Sequence, residues 1–427
     1  MGVAFSLFLF LLAFGAPVVF ALGAASVFVL TVLMDVPVAI VAQRVYAGLN
    51  SFTIMAIPFF VLAGLIMDAG GISRRIVALA DAVVGWMTGS LLMVSVVSST
   101  GMAAVSGSGT ADTAAISAIM QPEIKRRRYD VDFAAAVIAA GGSLAAVIPP
   151  SLFMIVIATI SSVSVGALFL AGIVPGLMIG AGLILISWLH ARRGGPQYRV
   201  TQPFSTVTLL RSFWAALPAL GLPAIIVGGI VGGIFTPTEA ASIAVLYGLF
   251  VGMVVYRELK PRKVIDIVVR AVGLSAAVMM IIASASIFGW LVARANLPQL
   301  LGGVITEFSD SPLTFLMIVT VLLLVVGMFM ESIAAMLILV PILSPVAQTF
   351  GVDPVHFSLV VVLNLTVGMI TPPYGITLYV AASVAGRPIM QVARRALQPF
   401  LIMLAVLLLV TFVPDIPLFV PRLVMGY

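Results

Sequence analysis

Ser106-Gly107-Ser108-Gly109-Thr110-Ala111-Asp112 and, about 220 residues later, Gly327-Met328-Phe329-Met330-Glu331 decide how this chain is read. Ten residues past each acid stands a lone proline, Pro122 and Pro341. Each half then carries a double proline, in Ile148-Pro149-Pro150-Ser151 and in Thr371-Pro372-Pro373-Tyr374. An acid, a proline and a double proline recurring in one order mark an internal duplication. Paired helix-breaking segments in two halves of a membrane protein point to a binding site near the bilayer midplane.

The composition agrees with a bilayer setting. The chain is 62% hydrophobic and 8% charged, with a mean hydropathy of +1.27, where a soluble domain carries about 25% charge. Several runs reach the roughly 20 apolar residues that a bilayer core requires: Ala4–Leu33, Val165–Leu189, Phe213–Ile234, Ala240–Tyr256 and Leu397–Val413. The first lacks a basic n-region and a small-residue cleavage site, so it is read as a membrane helix and not a signal peptide. No G-x-x-x-x-G-K-[ST] motif offers a nucleotide site. Cysteine is absent, and His190 and His356 belong to no metal-ligand spacing. With no paired His, Ser-His or metal constellation, the chain reads as a non-enzyme.

A net charge of +6 raises nucleic acid as a partner, but the bases cluster in short loops. Arg74-Arg75, Lys125 to Arg128, Arg192 to Arg199, Arg257 to Lys263 and Arg387 to Arg395 are such loops, which the positive-inside rule assigns to the cytoplasm. The expected orientation is N-terminus inside and C-terminus outside. Thr236-Pro237-Thr238-Glu239 lies on the other side, as a helix start with Thr236 at the N-cap and Glu239 closing a capping box. Phe133–Ser162 is one crossing interrupted at the first Pro-Pro. The segment from Arg75 to Lys125 then begins and ends on one side, which suits a re-entrant hairpin with a Gly- and Ser-rich tip. Pro312–Gln348 repeats the pattern from the opposite side, beyond the base-poor stretch Asn296–Asp310. The expected fold is all-α and integral to the membrane, an inverted repeat with two re-entrant hairpins and two broken helices.

A proline inside a helix removes a hydrogen bond and clashes with the preceding turn, and backbone carbonyls freed within a bilayer need a partner. A hard, oxygen-preferring cation such as sodium suits them, aided by the negative end of the helix dipole. A packing kink is the other reading of each break. Ser106, Ser108 and Thr110 offer hydroxyls at the first tip, though such hydroxyls also bond back to their own helix. Asp112 and Glu331 are expensive in apolar surroundings, and both are expected to cap the second arm of their hairpin. Asn364, Thr366 and Thr377 are polar groups around the second break, as Gly141, Gly142 and Ser143 are before the first. The glycines equally permit close helix packing.

Ser106–Asp112, Ala139–Ser151 running on to Leu168–Gly176, Gly228-Gly229 through Ala240, and Gly351–Pro354 through Asn364 to Thr371–Gly375 resemble the large membrane subunit of tripartite ATP-independent periplasmic (TRAP) transporters, the DctM-like family. The resemblance spans essentially the whole chain. It implies sodium-driven, elevator-type import of an organic anion. It also implies a small four-helix membrane subunit and a periplasmic substrate-binding protein as partners. Carried over, the first sodium site uses Ser106 with backbone oxygens near Ala145, Ile148 and Pro150. The second uses the Gly327–Met330 tip with Gly368, Thr371 and Pro373. The substrate is then expected between the tips, near Ser108, Gly109, Thr110, Ser151, Asn364 and Tyr374. Ala145 stands where the family commonly has glycine, and Glu331 where it has aspartate.

The expected division is scaffold helices in 1–50 and 163–263, a mobile transport domain made of 51–162 with hairpin 1 and 264–388 with hairpin 2, and a C-terminal helix and tail in 389–427. A stand-alone sodium–dicarboxylate symporter is the rival reading. A channel lacks support, because no charged or carbonyl ring marks a filter.

Overall fold

A computed structural model describes residues 2–199, 202–308 and 311–426, and among them no strand occurs. In chain order the helices are α1 (Gly2–Ala13), α2 (Val18–Phe28), α3 (Val38–Leu49), α4 (Ala56–Ala69), α5 (Ile72–Val84), α6 (Ser90–Ser106) and α7 (Gly109–Arg126). They continue as α8 (Val131–Ser143), α9 (Leu152–Ser161), α10 (Val165–Arg193), α11 (Thr206–Val231), α12 (Pro237–Phe250), α13 (Pro261–Arg294) and α14 (Leu297–Phe308). The last are α15 (Pro312–Gly327), α16 (Ser332–Thr349), α17 (Pro354–Gly368), α18 (Ile376–Ala385), α19 (Ile389–Arg395), α20 (Leu397–Phe412) and α21 (Asp415–Met425). Among the described residues five spans are long and apolar enough to cross a bilayer unbroken, at Val165–Arg193, Thr206–Val231, Pro237–Val255, Pro261–Arg294 and Ser332–Thr349. The end of the base-poor stretch, Ser309 and Asp310, lies outside the described residues.

The run Ala4–Leu33 is not one helix, which corrects the reading from hydrophobicity alone. It breaks at Gly15, whose φ is +81, and restarts after Pro17, which precedes α2. The chain folds back there, so α1 packs along α2. Apolar length measures how much can be buried but is blind to a turn made of apolar residues.

Two modules of one design occupy the interior. In the first, α6 and α7 form a helical hairpin that packs on α8. In the second, α15 and α16 form a hairpin that packs on α17. The half-helix after each break crosses to the other module: α9 lies on α16 and α17, and α18 on α7 and α8. The first break is thereby enclosed by protein, the condition under which non-helical backbone is tolerated at membrane depth, while Pro373 and Tyr374 of the second stay exposed. Around the modules, α12 packs along α4, α13 along α2, α3 and α4, and α11 along α12. The helix α5 runs between α6 and α11. The helix α10 packs along α6, α9, α17, α20 and α21, and also on α11.

The Thr236 capping box is present as the sequence pattern implies. The Thr236 hydroxyl accepts from the Glu239 amide at 3.3 Å, and a Glu239 carboxylate oxygen accepts from the Thr236 amide at 2.8 Å. Thr236→Ala is expected to cost about 1 kcal/mol, read as a lower melting temperature of the purified chain.

Candidate functional site

The first tip is built from the end of α6 and the start of α7. Gly107 takes a φ of +63, a left-handed turn that residues with a Cβ resist, and α7 restarts two residues later. The turn brings Ser106 beside Asp112: the Ser106 hydroxyl donates to Asp112 Oδ1 at 2.5 Å and accepts from the Ser108 amide at 3.1 Å. Asp112 is 0% exposed, and its Oδ2 has no hydrogen-bond partner. Asp112 therefore does not cap α7 by a backbone bond, contrary to the sequence reading. The residue preceding α7 is Ser108, and its side chain caps nothing. Asp112 lies in the first turn but reaches across the tip, and one of its oxygens is left over.

The first break faces this tip. At its end α8 tightens into a short 3-10 turn, Leu144–Ala146, and the Leu144 carbonyl accepts from both the Val147 and Ile148 amides at 2.8 Å. Ala145 lies in that turn, fully buried. Ser151 caps α9, accepting from Met154 at 3.4 Å, and donates to the Ala146 carbonyl at 2.7 Å. Among the described residues no hydrogen bond reaches the carbonyls of Ile148 or Pro150. A Cβ on Gly107 would sit 2.9 Å from the Pro150 oxygen, and one on Gly142 would sit 3.0 Å from the Gly109 oxygen. Only glycine lets backbone meet backbone this closely.

The second tip and break meet in the same manner, with different chemistry. A Cβ on Gly368 would lie 2.8 Å from the Gly327 oxygen, and the Tyr374 amide donates to the Met328 carbonyl at 3.0 Å. Here Glu331 does cap its helix, accepting from the Ala334 amide at 2.8 Å. The Thr371 hydroxyl turns onto its own helix, donating to Val367 at 2.7 Å. The Gly368 and Thr371 carbonyls each accept one amide, from Thr371 at 3.0 Å and from Gly375 at 3.1 Å, which leaves each a second lone pair. Among the described residues the Pro373 carbonyl accepts nothing, and the Met330 amide is used within its turn, on Val326 at 3.0 Å. The second tip thus offers backbone oxygens, while the first adds a carboxylate and a hydroxyl.

A cavity of about 450 Å³ opens on the first tip. Ser106, Ser108, Thr110, Asp112 and Pro150 line it, opposite the apolar faces of α4, α11 and α13. Gly109, Ser151, Asn364 and Tyr374 do not line it, so the predicted substrate set is brought together only in part. Asn364 is buried in α17 and donates to the Val360 carbonyl at 2.8 Å. Tyr374, 36% exposed, belongs to the second tip. Two lining residues escaped the sequence reading. Gly64 on α4 meets the tip so closely that a Cβ would lie 2.8 Å from the Ser106 oxygen. Arg270 on α13 is a base on the cavity wall; its signal is a charge one helical turn past Asp266, where the apolar part of the helix begins.

The histidines serve packing. His190 stacks on Phe133 with ring centroids 3.9 Å apart, and His356 Nε2 lies 2.9 Å from the Val410 carbonyl. Among the described residues no group of three or more His, Cys, Asp or Glu side chains is placed to hold a metal. Free carbonyls with one spare carboxylate oxygen suit a hard monovalent cation better than a transition metal, which selects imidazole or thiolate.

The family described as "Tripartite ATP-independent periplasmic transporter, DctM component" matches residues 5–416. The chain is 40% identical over 417 residues, 98% of its own length, to the isethionate TRAP transporter permease protein DctMQ of Oleidesulfovibrio alaskensis, of whose length it spans 66%. It is 38% identical over 413 residues to the sialic acid TRAP transporter large permease protein SiaM of Vibrio cholerae, covering 97% of this chain and 96% of that one. It is also 38% identical over 437 residues to the C4-dicarboxylate TRAP transporter large permease protein DctM of Rhodobacter capsulatus, covering 98% of each.

Proposed function

The chain belongs to the tripartite ATP-independent periplasmic transporter family as its DctM component, a membrane permease and not an enzyme, and from that premise we propose that it imports an organic anion coupled to sodium. The observation that carries the proposal is the first tip set against the first break. Asp112, with its spare Oδ2, and Pro150, with its unengaged carbonyl, line the same cavity where Gly107 meets Pro150, and the unengaged Ile148 carbonyl lies two residues before Pro150 in the break. Asp112 and those carbonyls hold the ion there, with Ser106 fixing the carboxylate. The Gly327–Met330 tip with Gly368, Thr371 and Pro373 forms a second, weaker site from carbonyls.

Sodium supplies positive charge that offsets the substrate carboxylate, and by linkage each then favours binding of the other. Ser108 and Thr110 line the cavity and donate to the anion. The relatives' names include an isethionate, a sialic acid and a C4-dicarboxylate transporter, so the substrate is read as a small organic acid.

The two hairpins are read as re-entrant from opposite faces of an inner membrane, with the basic loops cytoplasmic, the N-terminus inside and the C-terminus outside. An elevator motion is proposed in which the hairpins, broken helices, α10 and α20 move together past α1–α4 and α11–α13. Packing supports this division over the sequence-based one, because α10 and α20 are joined to the interior modules. The partners are a small four-helix membrane subunit and a periplasmic binding protein that delivers the anion.

The test is uptake into proteoliposomes holding this chain and the small subunit, with labelled C4-dicarboxylate, isethionate and sialic acid each offered with its binding protein. Uptake of one of them is expected to need both an inward sodium gradient and the binding protein. Uptake that persists without the gradient overturns the coupling, and uptake without the binding protein favours a stand-alone symporter.

A further inference from the structure

The cavity at the first tip has a neighbour. A second cavity of about 730 Å³ adjoins it, and the two share Leu65, Asp68, Ala111, Ala114 and Arg270 as walls. The second cavity opens among the charged residues Arg74, Glu258, Lys263 and Asp266, the ends of α5, α12 and α13 that carry the basic loops. The two cavities therefore lie side by side between the Ser106–Asp112 tip and the basic-loop side, and Arg270 stands on a wall common to both.

Arg270 is unusual in this position. It lies nine residues past Pro261 on α13, about 14 Å along the helix at 1.5 Å per residue, within a span apolar enough to cross a bilayer. A charge bordering the apolar part of such a span is expensive to bury unless it serves a path or a partner. Its side chain is exposed to the cavities, and among the described residues it makes no ion pair or hydrogen bond. Of the charges nearby, Glu258 pairs with Arg75 at 2.8 Å and Asp68 accepts from the Ser73 hydroxyl at 2.9 Å; Asp266, one helical turn before Arg270, lines the outer cavity and forms no ion pair with it. The inner cavity is lined by two carboxylates, Asp68 and Asp112, and by Arg270 as its one base among the described residues. Without that base an anion leaving the tip would meet only repulsion.

We propose that Arg270 is an anion station on the release path, a transient second site where a carboxylate or sulfonate pauses between the hairpin tip and the basic-loop side. Its guanidinium forks onto the planar or tetrahedral oxyanion, while Lys263 and Arg74 draw the anion outward. The station rests on the reading of the chain as an organic-anion importer, but its charge is testable without transport.

The chain has no cysteine, so a single introduced thiol reports on its own surroundings. Ala114→Cys places it on a wall shared by both cavities. In membrane vesicles exposing the basic-loop side, the full chain is reacted with an anionic reagent (2-sulfonatoethyl methanethiosulfonate) and a cationic one (2-trimethylammonioethyl methanethiosulfonate). A unit charge within ~8 Å through water acts oppositely on the two, so Arg270→Gln is expected to lower the anionic-to-cationic rate ratio about 5-fold. Arg270→Lys keeps the charge and should hold the ratio within about 2-fold of the parent. An unchanged ratio in Arg270→Gln overturns the proposal, as does a thiol that neither reagent reaches from that side. Run in choline, the assay is independent of sodium coupling, so its failure and the failure of the import reading remain separate results.

Discussion

Gly107→Val is expected to abolish sodium-driven uptake while the chain still inserts in the membrane. Two costs combine at this residue. Its φ of +63 is a left-handed conformation, which costs an L-residue about 1–2 kcal/mol. The new Cβ would also sit 2.9 Å from the Pro150 carbonyl oxygen, a backbone atom that no rotamer change can move aside. Overpacking of that kind adds about 1–3 kcal/mol. The sum, about 2–5 kcal/mol, is a loss of at least ~30-fold in uptake rate if the tip must close on the break. Gly273→Ala is the control, since a Cβ there meets nothing within 4 Å. Equal uptake by Gly107→Val and Gly273→Ala would show that tip and break need not touch.

Asp112→Asn is expected to raise the sodium concentration for half-maximal uptake at least ~10-fold. The amide keeps the size of the carboxylate and can still accept from Ser106. What it loses is the charge and one bare oxygen, the Oδ2 that has no protein partner. A bond to a charged group contributes about 1.5–3 kcal/mol, and ~1.4 kcal/mol is tenfold in affinity. Glu331→Gln should change sodium dependence much less, because the Glu331 carboxylate is already engaged with the Ala334 amide. An Asp112→Asn variant with unaltered sodium dependence would return Asp112 to a structural role.

The contrast between these two acids marks where sequence stopped being informative. The duplicated hairpins and breaks were legible because prolines and glycines act locally, on the turn in which they stand. So was the Thr236–Glu239 box, whose partners are three residues apart. Asp112 and Glu331 occupy matching places in the two repeats, yet one bonds across the tip to Ser106 and the other caps its own helix. That difference depends on the turn itself: Gly107-Ser108 folds Ser106 back over α7, while Met328 to Met330 offer no hydroxyl. Longer-range facts were hidden for a simpler reason. The exchange of α9 and α18 between modules, the packing of α10 on α6 and α17, and the placement of Arg270 on a cavity wall all depend on which apolar face meets which. Helices that are apolar all round carry little directional signal. The break at Gly15 and Pro17 was written in the sequence but masked by the apolar residues around it.

The most direct measurement is the melting temperature of the purified chain in sodium and in potassium at equal ionic strength, with no substrate or partner present. An ion that binds only the folded state stabilises it by about 2.7 kcal/mol at a hundred times its Kd. The melting temperature is therefore expected to rise by roughly a few degrees in sodium alone, with the rise lost in Ser106→Ala and Asp112→Asn. Identical melting in the two salts, or a sodium-specific rise that neither substitution diminishes, would contradict an ion site between the first tip and the first break.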